Sequence, residues 1–137
     1  TSNPSSSELQ ELELASGERV YEHVADLVEG WGAETIGANG YSRVGAVVGA
    51  THPEEGKALR ARMPHTFFLV PGYGAQGGTA DALKVCFNSD GLGGIVNSSR
   101  GILCAYRQEK YAGRSYYEAA RQACIDMKND LNRAIKG

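Results

Sequence analysis

Leu69-Val-Pro-Gly-Tyr-Gly-Ala-Gln-Gly-Gly78 reads as an apolar strand running into a glycine-rich loop, with a helix expected from about Thr79. A second strand, Gly94-Ile-Val-Asn97, follows and ends in Ser98-Ser-Arg-Gly101. Two consecutive strand ends therefore carry bare backbone amides and one arginine. That chemistry suits a phosphate, placed where a barrel of alternating strands and helices holds one.

Outward from this stretch, strand and helix alternate. Tyr21, Val24, Ala25, Val28 and Trp31 recur at helical spacing, which predicts an amphipathic helix over about 20–31. Val44 to Val48 is a continuous apolar run. Thr51-His-Pro-Glu-Glu then reads as a helix start, with Leu59 and Met63 facing inward and Pro64 as the stop. Thr79 is placed to cap a helix carrying Leu83 and Phe87. A short helix is expected after Arg100, and a long one from about Tyr116 to Ile135, with Tyr117, Ala120, Cys124, Met127, Leu131 and Ala134 on one face.

The three strands read as apolar on both faces, the mark of a buried parallel sheet, so the class is α/β. With a strand stub before Ser2 they make about half of an eight-stranded barrel, which typically needs about 250 residues. The chain has 137 residues and opens on Thr1-Ser-Asn-Pro-Ser-Ser-Ser7 rather than Met, a run that looks like a loop within a longer protein. A small four-stranded doubly wound domain stays open as the alternative on pattern alone.

Composition narrows the function classes. A net charge of −2 gives no electrostatic case for nucleic acid or a membrane surface. No apolar run is long enough to span a bilayer, and no basic-then-apolar leader precedes the domain. Cys86, Cys104 and Cys124 are odd in number and lack metal-ligand spacing, so a reduced cytoplasmic setting and packing roles are expected. His23, His52 and His65 also lack ligand spacing and read as structural. Tyr106, Tyr111, Tyr116 and Tyr117 read as core or interface, and Arg60-Ala-Arg62 as a solvated helix face.

Gly72-Tyr-Gly-Ala-Gln-Gly77 satisfies the G-x-G-x-x-G pattern of dinucleotide sites. The acid expected at the end of the next strand is missing, because that strand ends in Asn97-Ser-Ser-Arg100. The phosphate reading uses the same glycines for close backbone approach, with Arg100 as a planar donor fork and Gln76 as an amide donor. Ser2 and Asn3 are small hydrogen-bonding groups able to read a polar ligand edge, or simply an Asn-Pro turn. No general acid or base stands at an open strand end, so the chain reads as the binding half of an enzyme.

Val70-Pro-Gly-Tyr-Gly-Ala-Gln-Gly-Gly78, followed by Ile95-Val-Asn-Ser-Ser-Arg-Gly-Ile102, closely resembles orotidine 5′-phosphate decarboxylase in its longer bacterial subfamily. Val47-Val-Gly-Ala-Thr-His-Pro-Glu54 resembles that family's sixth strand and following helix, and Thr1-Ser-Asn-Pro-Ser5 the end of its fifth. The resemblance implies that residues 1–137 are a single partial domain, the C-terminal half (about strands 5/6 to 8 with their helices) of a (β/α)8 TIM barrel. It implies a carboxy-lyase that converts orotidine 5′-monophosphate to UMP in pyrimidine biosynthesis, with no metal or organic cofactor. The implied partners are the N-terminal half of the same barrel and, for the complete enzyme, a second copy in a homodimer.

By the same resemblance, Gln76 and Arg100 hold the 5′-phosphate with amides of Gly77, Gly78 and Ser99. Ser2 would read the pyrimidine edge, and Pro71 would lie against the base. The family's Asp-x-Lys-x-x-Asp catalytic pattern is absent from these residues, so no catalytic residue is assigned within them. A sugar-phosphate decarboxylase or aldolase of the same barrel superfamily, and a non-catalytic phosphate-binding half-barrel, remain as competing readings.

Overall fold

The computed structural model describes residues 4–49, 52–74 and 77–137. Ser2, Asn3, the strand stub before them, Thr51 and Gln76 lie outside the described residues. After a short helix α1 (Ser7–Gln10), the chain runs α2 (Val20–Gly32), β1 (Gly45–Val47), α3 (Pro53–Arg62) and β2 (Phe67–Pro71). It continues through α4 (Ala80–Leu83), β3 (Gly94–Asn97), α5 (Ser99–Leu103) and α6 (Tyr116–Lys136).

The helix ends follow local chemistry. The Arg19 N–H donates to Glu22 Oε2 (2.9 Å) and starts α2. Pro53 opens α3 with Glu54 and Glu55 in its first turn and Arg60 and Arg62 in its last, the order that the helix dipole favours. Ser115 and Glu118 form a capping box that starts α6.

The three strands pair in the order β1-β2-β3, both pairs parallel. Their two faces differ, contrary to the reading that both are buried. On one face Val48, Phe68 and Val70 are at most 5% exposed and pack with Ala25, Met63, Leu83, Cys86 and Leu131 from the helices. On the other, Val47, Leu69 and Ile95 are 69%, 42% and 58% exposed. Register aligns Val47 with Leu69 and Leu69 with Ile95, so these three make one apolar row across the sheet. The helices that supply the core pack on one side of the sheet, which is why alternate residues of a continuously apolar strand differ so sharply.

Arg60 departs furthest from expectation. Rather than a solvated face, it is 6% exposed and lies 3.6 Å above the Phe68 ring. Its guanidinium donates to the carbonyls of Cys86 (3.0 Å), Met63 (2.8 Å), Thr66 (3.0 Å) and Gly93 (2.9 Å). Burial lowers its pKa, and four carbonyl acceptors offset the lost water. Arg62 fits the solvated reading better, bridging from α3 to Glu18 (2.7 Å) and to Asp26 of α2 (2.6 Å).

Three further expectations shift. On α6 the buried face is Ala119, Ala123 and Leu131, with Met127 and Ala134 packed on the core. Tyr117 and Cys124, expected inside, are exposed, because Tyr111 fills the space over the two alanines. Helix α4 is one turn that tightens at Lys84–Cys86, and Phe87 lies beyond it against Gly94. On α2, Ala25 is buried while Val24 (46%) and Trp31 (64%) stay exposed. His23, His52 and His65 each sit beside a glutamate, Glu18, Glu55 and Glu29 respectively. No helix among the described residues is long and apolar enough to cross a membrane.

Candidate phosphate site

The parallel register places Pro71, the last residue of β2, opposite Asn97, the last of β3. The chain turns away from the sheet at both points. After Pro71 it enters the glycine loop, where Gly72 (φ 109°) and Gly77 (φ 87°) hold backbone conformations that side chains disfavour. After Asn97 it enters α5 through Ser98, which is 7% exposed. Pro71, Gly72, Tyr73, Asn97, Ser99 and Arg100 surround a cavity of about 100 Å3 completed by Ser98.

Three of the expected site residues, Pro71, Ser99 and Arg100, thus meet at one place. The Arg100 side chain is exposed and its guanidinium has no hydrogen-bond or ion-pair partner among the described residues. Ser99 Oγ lies 3.4 Å from Asn97 Nδ2. Gly101 lets α5 close on this corner, since a β-carbon there would stand 2.5 Å from Ser98 Oγ.

Gly77 and Gly78 do not line that cavity. Their amides are engaged inside the loop: Gly77 N–H donates to Gly74 O (2.9 Å) and Gly78 N–H to Gly72 O (3.2 Å). An anion would reach them only after those bonds exchange. The helix behind the loop is short, and Thr79 Oγ1 already accepts from the Ala82 N–H, so it supplies little dipole to an anion. Gln76 and Ser2 lie outside the described residues.

Sequence reasoning passed over Tyr73, Asn97 and Ser98. Asn97 carried one available signal, a polar side chain closing an apolar strand. Tyr73 and Ser98 carried none, because their roles depend on partners 57 and 25 residues away. The run Asp126-Met-Lys-Asn-Asp130 falls one residue short of the spacing noted above and is helical. Its carboxylates are occupied by Lys110 and Tyr73. No group of three or more His, Cys, Asp or Glu among the described residues could hold a metal ion.

Comparison with known proteins bears on this geometry. No protein-family model matches the chain. Two curated proteins named orotidine 5′-phosphate decarboxylase match nearly all of it. One, from Clostridium botulinum, is 48% identical over 131 residues, 96% of this chain and 45% of the relative. The other, from Clostridium acetobutylicum, is 42% identical over 135 residues, 98% of this chain and 47% of the relative. The solved structure of Leishmania donovani UMP synthase superposes with a TM-score of 0.69 at 38% identity, covering 96% of this chain and 26% of that one. Leishmania donovani OMP decarboxylase gives 0.67 at 34%, covering 95% and 45%. The resemblance carried by the two motifs therefore extends over essentially the whole chain, and the chain spans about half the length of the curated relatives it matches.

Proposed function

We propose that this chain is the phosphate- and base-binding portion of an orotidine 5′-phosphate decarboxylase, residues 1–137 forming a single partial domain. The observation that carries the reading is the convergence of Pro71, Ser99 and an exposed Arg100, whose guanidinium has no partner among the described residues, at two adjacent strand ends, in a chain 48% identical to a protein of that name. The exposed row of Val47, Leu69 and Ile95 supports a half-barrel, since parallel sheets are ordinarily covered on both faces. In a closed (β/α)8 barrel that row faces the packed interior, and the N-terminal portion supplies the remaining strands.

The reaction replaces the carboxylate on the pyrimidine with a proton and releases CO2, giving UMP. Arg100 holds the 5′-phosphate together with Gln76, and Gly77, Gly78 and Ser99 add backbone amides once the loop bonds exchange. Pro71 lies against the base, and Ser2 reads its edge. The phosphate is remote from the bond that breaks. Binding it is useful because that energy can fund loop closure and the ordering of charged groups at the reacting carbon. The lysine and aspartates that act there belong to the N-terminal portion, and the complete enzyme is a homodimer needing no cofactor.

The test supplies orotidine 5′-monophosphate to the complete polypeptide and follows UMP formation. Turnover inhibited by UMP supports the reading. Absence of turnover, with sugar phosphates converted instead, replaces it with the aldolase-like alternative.

A further inference from the structure

Tyr73 stands at the root of the glycine loop and has no part in the reading above. Its backbone carbonyl accepts from Ser98 Oγ (2.9 Å), at the threshold of α5. Its hydroxyl donates to Asp130 Oδ2 (2.7 Å), on α6. It pairs with Gly78 in an isolated parallel bridge that closes the loop on itself. The residues on either side, Gly72 and Gly74, both hold positive φ (109° and 72°). Tyr73 is therefore a side-chain anchor between two glycine hinges, and it ties the loop root to Ser98, before α5, and to Asp130 of α6.

A cavity of about 840 Å3 opens between α5 and α6, bordered by Tyr73, Gly74, Arg100 and Asp130 among others. The Tyr73 ring packs against the core on one side and borders this cavity on the other, so the bond to Asp130 fixes the hydroxyl end of the side chain. Burial first, then the bond to Asp130, raises the Tyr73 pKa to about 12, so the hydroxyl remains a donor throughout the neutral range.

We propose that Tyr73, held by Asp130, is a positioning residue that sets the glycine loop against Arg100, so that both meet the phosphate of a nucleotide ligand together. This rests on the function proposed above. It assigns Asp130, a helix residue remote in sequence from either motif, to phosphate affinity without contact with ligand.

The experiment uses the complete polypeptide and compares dissociation constants for UMP and uridine, which differ only in the phosphate. Tyr73→Phe and Asp130→Ala are each expected to weaken UMP relative to uridine by about tenfold, the size of one charge-assisted hydrogen bond. Their double variant is expected to lose no more than the larger single, because both remove one bond. Asp130→Asn keeps an acceptor and is expected to recover most of the ratio. A general packing defect would weaken both ligands alike. If both single variants keep the UMP-to-uridine ratio within about twofold of the unsubstituted protein, the inference is overturned. An unsubstituted protein that binds UMP no better than uridine overturns the function reading instead, and this inference with it.

Discussion

Two arginines stand at opposite ends of the same strands. Arg60 sits below β2 and β3, where Thr66 and Gly93 precede them, and donates to four carbonyls while covering the Phe68 ring. Arg100 stands beyond the other end, exposed and without a partner for its guanidinium among the described residues. One charge is desolvated, with four of its five N–H groups donated to carbonyls, so its donors are already used by the fold. The other keeps its donors available, which is the state a ligand-binding arginine needs. In barrels generally, the N-terminal ends of the strands serve stability and the C-terminal ends serve chemistry.

The comparison breaks most visibly at Arg60. Replacing it with Met leaves the carbonyls of Met63, Thr66, Cys86 and Gly93 without this donor, a loss expected to be about 4 kcal/mol. Urea unfolding of the complete polypeptide measures it, and a change under about 1 kcal/mol would show that the clasp is dispensable. Arg100→Ala is the converse: kcat/KM is expected to fall about a hundredfold with unchanged unfolding midpoint. A loss below about tenfold would remove Arg100 from the phosphate grip.

Two smaller effects sharpen the contrast. Gly101→Ala drives a β-carbon to within 2.5 Å of Ser98 Oγ and is expected to cost about 2 kcal/mol, read by thermal unfolding. Its activity should fall as well, since Ser98 would be pushed off the Tyr73 carbonyl. The smallest effect is one of pH. The Lys110 ammonium, then the Gln122 amide and the Tyr111 hydroxyl, lower the Asp126 pKa from 3.8 to about 2. A depressed folded-state value means that this contribution is present above about pH 4 and is lost as pH falls towards 2. Asp126→Asn should therefore flatten the stability profile in that window and lower stability by a constant amount between pH 6 and 8, with no change of slope there. Unfolding midpoints across both ranges check it, and equal acid slopes in the two proteins would count against the assignment.

Much of this molecule was legible as pattern. A valine-rich run marked β1, an apolar run from Phe67 to Val70 marked β2, and Pro53 with two acids behind it marked α3. The helix from about Tyr116 was legible by its spacing, and the capping box of Ser115 and Glu118 that starts it came from the structure. That Pro71 and Arg100 would lie together was legible because they stand at or just beyond the ends of adjacent strands that a parallel sheet brings side by side. On α6 the C-terminal part of the inner face, Met127, Leu131 and Ala134, was legible, while its N-terminal part was misread because helical spacing alone does not say which of two adjacent stripes faces inward; there Tyr111 packs with Ala119 and Ala123. Arg60 was misread because a charged residue at a helix end is ordinarily solvated, and its carbonyl acceptors come from separate loops.

The sequence by itself determined the alternation of strand and helix, the parallel class, the glycine loop and the identity of the exposed arginine. These follow from local periodicity and backbone preference, which act over a few residues. Only the tertiary structure decided which face of the sheet is covered, that Arg60 turns inward while Arg100 does not, and that Tyr73 reaches Asp130. Each of those depends on groups far apart in the chain arriving at hydrogen-bond distance, and the desolvation that selects among such arrangements exists only once the helices have closed over one side of the sheet.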